Sequence, residues 1–296
     1  MHDAATPGVS AKPVLRWRWL RWNLHHLLLA YVVITATGVP AFSWPWWVLV
    51  VPGALLAGLV ADGMLRPSSS LFYPTVSHGA RNLACVALTF DDGPDPVITP
   101  QVLDALAAHG ARASFFVIGK SLVAQPELAR RMLAEGHAIG NHSWQHSRWQ
   151  NFHQFRWQLR ELERSEQALA ALPGAPQPAL YRPPVGLKRP ELARAGWQCG
   201  LTLVAWSLHG RDTFARDPQS VARRVLAKVR AGDIVLLHDG HDLGGRRREL
   251  CVPALRLILE GLRARGLRCV TVPELLRLSG DSVSPSVWVG SRKPRA

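Results

Sequence analysis

The sequence predicts an α/β protein: a distorted (β/α) barrel of about seven units, preceded by an N-terminal transmembrane helical hairpin. Three observations carry this. Short apolar runs alternate with helical patterns from residue 85 to residue 279. Polar and charged residues fall at the carboxyl ends of those runs. No Asp, Glu, Lys or Arg occurs from Trp22 through Ala61.

A helix needs about 20 apolar residues to cross the hydrocarbon core. The Trp22–Ala61 window holds twice that, broken near its middle by Pro40 and Pro45. It reads as two short spans joined by a tight turn, with Trp19, Trp22, Trp44, Trp46 and Trp47 near the ends, where indole rings favour the headgroup layer. It is too long for a signal-peptide core and lacks the charged face of a surface helix. Lys12, Arg16, Arg18 and Arg21 keep the N-terminus inside. Two crossings at a bacterial-type inner membrane then leave the following domain facing the cytoplasm; one crossing leaves it periplasmic. The expected organisation is an anchor at 1–66, a polar linker at 67–84, a folded domain at 85–279 and a basic, disordered tail at 280–296.

Within the domain, Val86–Phe90 reads as the first strand. Thr99 caps the next helix, with Pro100 at its first position and Gly110 past its end. Ala113–Ile118 is the second strand, followed by a helix at about 127–135 closed by Gly136. A third strand begins at Ala138–Gly140, and an amphipathic helix follows at about 152–172. Further strands fit Leu180–Arg182, Leu201–Trp206, Ile234–His238 and Arg268–Val272, with helices at 220–229, 252–265 and 272–278. Alternating strands and helices imply a mainly parallel sheet. Sites in such folds form where the carboxyl ends of the strands open onto one face.

The net charge of +14, from 35 Lys+Arg against 21 Asp+Glu, suggests an anionic neighbour. Zinc-finger spacing, an aromatic–basic RNA signature and a helix-turn-helix pattern are all missing, so nucleic acid is not the expected partner; a membrane surface is. Cys85, Cys199, Cys251 and Cys269 have no metal-ligand spacing and read as reduced core thiols.

Four short segments hold the candidate chemistry. Thr89-Phe-Asp-Asp-Gly-Pro94 sets Asp91 and Asp92 at a strand end, where neighbouring side chains diverge and take different tasks. His142-Ser-Trp-Gln-His146 gives two imidazoles at i and i+4, aligned on one helical turn to grip a divalent metal. Tyr181-Arg-Pro-Pro-Val-Gly186 fixes Arg182 with prolines, and Ile234-Val-Leu-Leu-His-Asp-Gly240 ends an apolar strand at His238. Each alone is compatible with a turn, a surface pair or a strand end.

In this order and placement, the four segments resemble the polysaccharide deacetylase family, also called the NodB-homology or carbohydrate esterase family 4 domain, over roughly residues 85–275. The resemblance implies that Asp91 is the general base, that Asp92, His142 and His146 bind the metal, and that Arg182 orients the base. It also implies that His238 is the general acid, held and charged by Asp212, and that Leu236 lines the pocket for the acyl methyl group. The backbone N–H of Val185 is the matching oxyanion donor. The chain departs from the family pattern twice. Val185 stands where Tyr is common, and Thr213 follows Asp212 where the family has Trp, which is expected to open one wall of the acyl site.

The expected activity is metal-dependent hydrolysis of the N-acetyl amide of an amino sugar in a chitin-like glycan, peptidoglycan or a related saccharide. A deacylase or deformylase of a polyprenyl-phosphate-linked amino sugar at the membrane is the alternative. An inactive carbohydrate-binding protein and a deacylase of non-sugar amides are two further readings. An Asp-His-His set suits Zn²⁺ first, and also Co²⁺, Ni²⁺ or Mn²⁺.

Overall fold

The computed structural model describes residues 30, 31, 33, 45, 47–147, 149–174, 179–240 and 249–280. The chain divides into two compact units, Met1–Asp62 and Gly63–Ala296.

The expected first span lies outside the described residues except for Ala30, Tyr31 and Val33. The second falls on helix α1, Trp47–Leu65, which contains Pro52. Among the described residues no helix is long and apolar enough to cross a membrane, so the expected transmembrane hairpin is not found. The uncharged part of α1, Trp47–Ala61, spans about 22 Å at 1.5 Å per residue, and Asp62 follows it. The basic tail and the Arg246–Arg248 run lie outside the described residues.

The second unit is built on parallel strands. Their order in space is β1 (Thr75–Val76), β6 (Thr202–Val204), β5 (Leu180–Tyr181), β4 (Ala138–Asn141), β3 (Ala113–Val117), β2 (Cys85–Asp91), β8 (Ile234–His238) and β7 (Leu208–His209). β9 (Arg268–Cys269) pairs with the start of β2. β6 and β7 lie near opposite ends of this order, yet only Ala205–Ser207 separates them in sequence. So short a link forces the sheet to curl until its edges approach. The segment after β1 meets the start of β8 where Gly79 N–H donates to Gly232 O, beside the His78–Asp233 bridge. The result is the distorted barrel that the alternating pattern predicts. The stretch read as linker supplies β1, and the buried Lys188 ammonium holds the carbonyls of Pro67 and Ser69.

Strand alternation separates two cores. Val86, Leu88 and Phe90 of β2 face outward onto α2 (Ile98–Ala108), α7 (Pro218–Lys228) and α8 (Cys251–Ala264). Cys85 and Ala87 face inward with Phe116, Leu180, Val204 and Ile234, over Val272, Leu275 and Leu276 of α9 (Val272–Leu278). Because β9 pairs with the start of β2, α9 closes the amino end of the barrel. The polar residues collect at the other end. All four cysteines are free thiols.

Three further helices cover the sheet: α3 (Gly119–Ala124), α4 (Pro126–Ala134) and α5 (Phe155–Ala170). α6 (Pro190–Gln198) adds a helix that the periodicity reading did not include. α2 begins before Thr99 because Asp95 Oδ1 accepts from the backbone N–H groups of Val97 and Ile98, both at 2.8 Å. Thr99 is therefore not the cap.

Candidate active site

The register of the sheet sets the first two groups side by side. Asp91 ends β2, His238 ends β8, and they are paired residues on adjacent parallel strands. Their Cα atoms are thus about 5 Å apart. Both point to the inner face, as does Leu236, which is buried two residues before His238.

Asp92 follows β2 with a positive φ of 74°, turning its carboxylate away from that of Asp91. Across β3, the end of β4 supplies the histidines. The i, i+4 spacing does not lie on a helix: residues 142–146 form a loop, with Ser143 at φ 69° and His146 at φ 50°. Asn141 Oδ1 accepts from Ser143 N–H at 2.7 Å, and Ser143 Oγ accepts from His146 N–H at 3.0 Å. These two bonds hold conformations that are costly for residues other than glycine.

The loop brings His142 Nε2 to 3.5 Å and His146 Nε2 to 3.3 Å from Asp92 Oδ1. The donor atoms of all three buried residues lie within 4.8 Å of one another. Tetrahedral ligands about 2.1 Å from a divalent ion are about 3.4 Å apart, so the spacing fits one ion. His142 Nδ1 lies 2.8 Å from Arg182 O, which takes its N–H and leaves Nε2 as the ligand atom. Burial, with the charge of His142, pulls His146 down to about 4, so it is neutral and ready to coordinate at neutral pH.

Arg182 is fully buried inside the barrel. Its Nη1 donates to Asp91 Oδ1 at 2.7 Å and to Thr89 Oγ1 at 2.8 Å. Nε and Nη2 donate to the carbonyls of Val204 and Ala205, and the guanidinium lies 4.0 Å from the Phe116 ring centroid. One side chain thus ties β2, the end of β6 and the Asp91 carboxylate together. Val185 follows three residues later in a tight turn, at φ 57°, with an exposed side chain.

On the opposite flank Asp212 Oδ1 lies 2.9 Å from His238 Nδ1, and Oδ2 accepts from His238 N–H at 2.8 Å. Burial works against the charged imidazole. The Asp212 carboxylate, with Asp92 and Asp91 adding, outweighs it and pushes His238 up to about 9. At neutral pH this histidine is a cation with a proton to give, whereas His146 is a neutral ligand.

This arrangement pairs a buried three-donor cluster with a carboxylate braced by arginine and an imidazolium braced by a second carboxylate. A profile of the polysaccharide deacetylase family matches residues 78–204. A Bacillus cereus protein described as a peptidoglycan-N-acetylglucosamine deacetylase is 39% identical over 198 residues, covering 66% of this chain and 90% of its own length. The chain belongs to the polysaccharide deacetylase family. A chitooligosaccharide deacetylase from Bradyrhizobium is 38% identical, over 64% of this chain and 90% of that one. The solved structure of the peptidoglycan deacetylase PdaC from Bacillus subtilis superposes with a TM-score of 0.61 at 30% identity, covering 68% of this chain and 94% of that chain.

Three residues of this family member stand at the site without having been read from the sequence. Trp206 lies with its ring centroid 5.7 Å from the Arg182 guanidinium. A Cβ on Gly186, which has φ +71°, would fall 2.4 Å from the Trp206 ring, so the Arg182–Gly186 turn packs directly on that indole. Thr213 Oγ1 lies 3.4 Å from His238 Nδ1. His209 has its ring centroid 5.8 Å from that of His238 and 5.8 Å from that of Trp206.

Asp239 is the third. It accepts from Thr99 Oγ at 2.6 Å and fills the space beside Gly93, where a Cβ would meet its carboxylate oxygens at 2.5 Å. Burial, with the charges of Asp92 and Asp91 adding, pushes Asp239 up to about 7. The signal for it was present, a second carboxylate directly after His238. Its partner Thr99 was assigned to a helix cap, and nothing local points to their contact.

Proposed function

We propose that this protein hydrolyses the N-acetyl amide of an amino sugar in an oligo- or polysaccharide, using a divalent metal, Zn²⁺ in the first instance. The observation that carries the proposal is the pair of braced groups flanking the donor cluster: Asp91 with Arg182, and His238 with Asp212. Support for a glycan substrate comes from the relatives, whose names specify peptidoglycan N-acetylglucosamine and chitooligosaccharides. No comparable support attaches to a polyprenyl-linked substrate.

Asp92, His142 and His146 would hold the metal, which when bound polarises the amide carbonyl and makes bound water acidic enough to react near neutral pH. The protein's own groups do the rest. Arg182 occupies Asp91 Oδ1, leaving Oδ2 as the oxygen that takes the proton from water. Asp212 occupies His238 Nδ1, so Nε2–H faces the reaction and protonates the departing amine. The Val185 N–H is assigned to the developing oxyanion, and buried Leu236, on the same strand face as His238, to the acyl methyl group. Trp206 supplies an apolar wall.

The test is direct. Full-length protein with Zn²⁺ is incubated with N-acetylchitooligosaccharides and with peptidoglycan, and acetate and free amine are measured. Equal amounts of both are expected. Asp91→Asn and His238→Ala should each lower kcat by about a hundredfold or more while zinc still binds. Absence of acetate from both substrates, or full turnover by Asp91→Asn, would overturn the proposal.

A further inference from the structure

Beside the general acid, the segment from His209 to Ala215 and the first turns of α7 border a solvent-open cavity of about 420 Å³ that the reaction does not use. His209, Arg211, Phe214, Ser220 and Arg224 line it. His209 is the wall it shares with the catalytic site, its ring 5.8 Å from that of His238.

The polar groups here are mostly donors. Ser220 Oγ donates to Asp217 O and Ser220 N–H donates to Asp217 Oδ1, both at 2.8 Å, so this serine and the Asp217 oxygens are engaged with each other. His209 Nδ1 accepts from Arg211 N–H at 2.9 Å, which places the neutral ring's own proton on Nε2 as a donor. That bond holds Arg211 at φ 56°, a conformation an arginine does not adopt without support. Among the described residues neither Arg211 nor Arg224 has a carboxylate partner. Two exposed arginines border one concave site, and the guanidinium fork is the side chain that recognises planar or tetrahedral oxyanions. Phe214, 78% exposed, adds an apolar ring at the same cavity.

We infer that this cavity is a subsite for an anionic substituent, a carboxylate or a phosphate, carried by the amino-sugar substrate. The inference rests on the deacetylase reading and adds to it a preference for anionic over neutral glycans. The volume admits one such group with part of a sugar ring.

Three substrates separate the possibilities: neutral N-acetylchitotetraose, an N-acetylglucosamine–N-acetylmuramic acid disaccharide with its free carboxylate, and N-acetylglucosamine 1-phosphate. The parent protein should show higher kcat/KM for one anionic substrate than for the neutral one, and which anion is favoured identifies the source. In R211Q/R224Q the ratio of anionic to neutral kcat/KM should fall about tenfold or more, and R224K should restore part of it. A ratio that the double substitution leaves unchanged would overturn the subsite. Equal parent values for anionic and neutral substrates would do the same. Should the parent release no acetate from any of the three, the deacetylase reading fails. The subsite is then decided by calorimetric binding of the carboxylate disaccharide and of the 1-phosphate: weakening in R211Q/R224Q sustains it, and equal affinity removes it. Thermal melting of each variant separates lost recognition from lost fold.

Discussion

The charge on His238 offers the sharpest test, and Asp212→Asn is the perturbation that isolates it. Asn keeps the shape and still accepts from the His238 N–H, but it removes the carboxylate that outweighs burial. With His238 at about 9, roughly 97% of the imidazole is protonated at pH 7.5. At the ordinary value of 6.5 that fraction is about 9%, and burial without the carboxylate drives it lower still. The substitution thus removes the proton donor by about tenfold or more at pH 7.5, before any loss of orientation. The assay is kcat/KM on N-acetylchitotetraose between pH 5 and 10. In the parent, activity should fall on the alkaline side near pH 9. In Asp212→Asn that limb should move to pH 6.5 or below, with part of the lost activity recovered in acid. An alkaline limb that stays near pH 9 in the variant would refute both the charging of His238 by Asp212 and its role as the acid.

Three further outcomes follow from the geometry. Arg182→Met leaves the Asp91 carboxylate buried without its partner, and breaking a buried pair in this way costs about 3–5 kcal/mol, read from the denaturant midpoint; a loss under about 1 kcal/mol would remove Arg182 from the barrel's support. Gly186→Ala places a methyl group against Trp206 at a positive φ, so stability should fall by about 1–3 kcal/mol with activity falling alongside, and an unchanged melting curve with full turnover would contradict the packing. Zinc at one hundred times its dissociation constant should stabilise the fold by about 2.7 kcal/mol in a thermal shift assay, whereas Asp92→Ala should show neither the shift nor calorimetric uptake.

Much of the fold was legible because strand-forming runs and their flanking turns are local features. Val86–Phe90, Ala113–Ile118 and Ile234–His238 were read close to their observed bounds, and α9 matched its range. The convergence of Asp91, Asp92, His142, Arg182 and His238 was legible because they sit at or just after strand ends, which one face of a parallel barrel gathers. What failed depended on contacts between distant segments. The His142–His146 loop reproduces helical spacing through two left-handed residues held by Asn141 and Ser143, and no periodicity signals that. Trp206 was counted into a strand because it continues an apolar run, yet β6 stops at Val204 and the indole turns onto Gly186. Thr99 looked like a cap, while its hydroxyl reaches Asp239, 140 positions away. The transmembrane expectation rests on the composition of a window whose first half lies largely outside the described residues, and among the described residues no helix is long and apolar enough to cross a membrane.

The guanidinium of Arg182 has a bearing on how an inactive version of this protein should be made. Asp91 is the natural position to silence, but its carboxylate is also the counter-charge to a cation sealed inside the barrel, so removing it disturbs the scaffold along with the chemistry. His238 stands at the rim, its side chain 13% exposed. A substitution there leaves the interior cation matched and the metal ligands untouched, and a glutamine can still donate to the buried Asp212 carboxylate that the imidazolium balances. For capturing a bound glycan or mapping partners, His238→Gln is the lesion expected to disturb the scaffold less than one at Asp91.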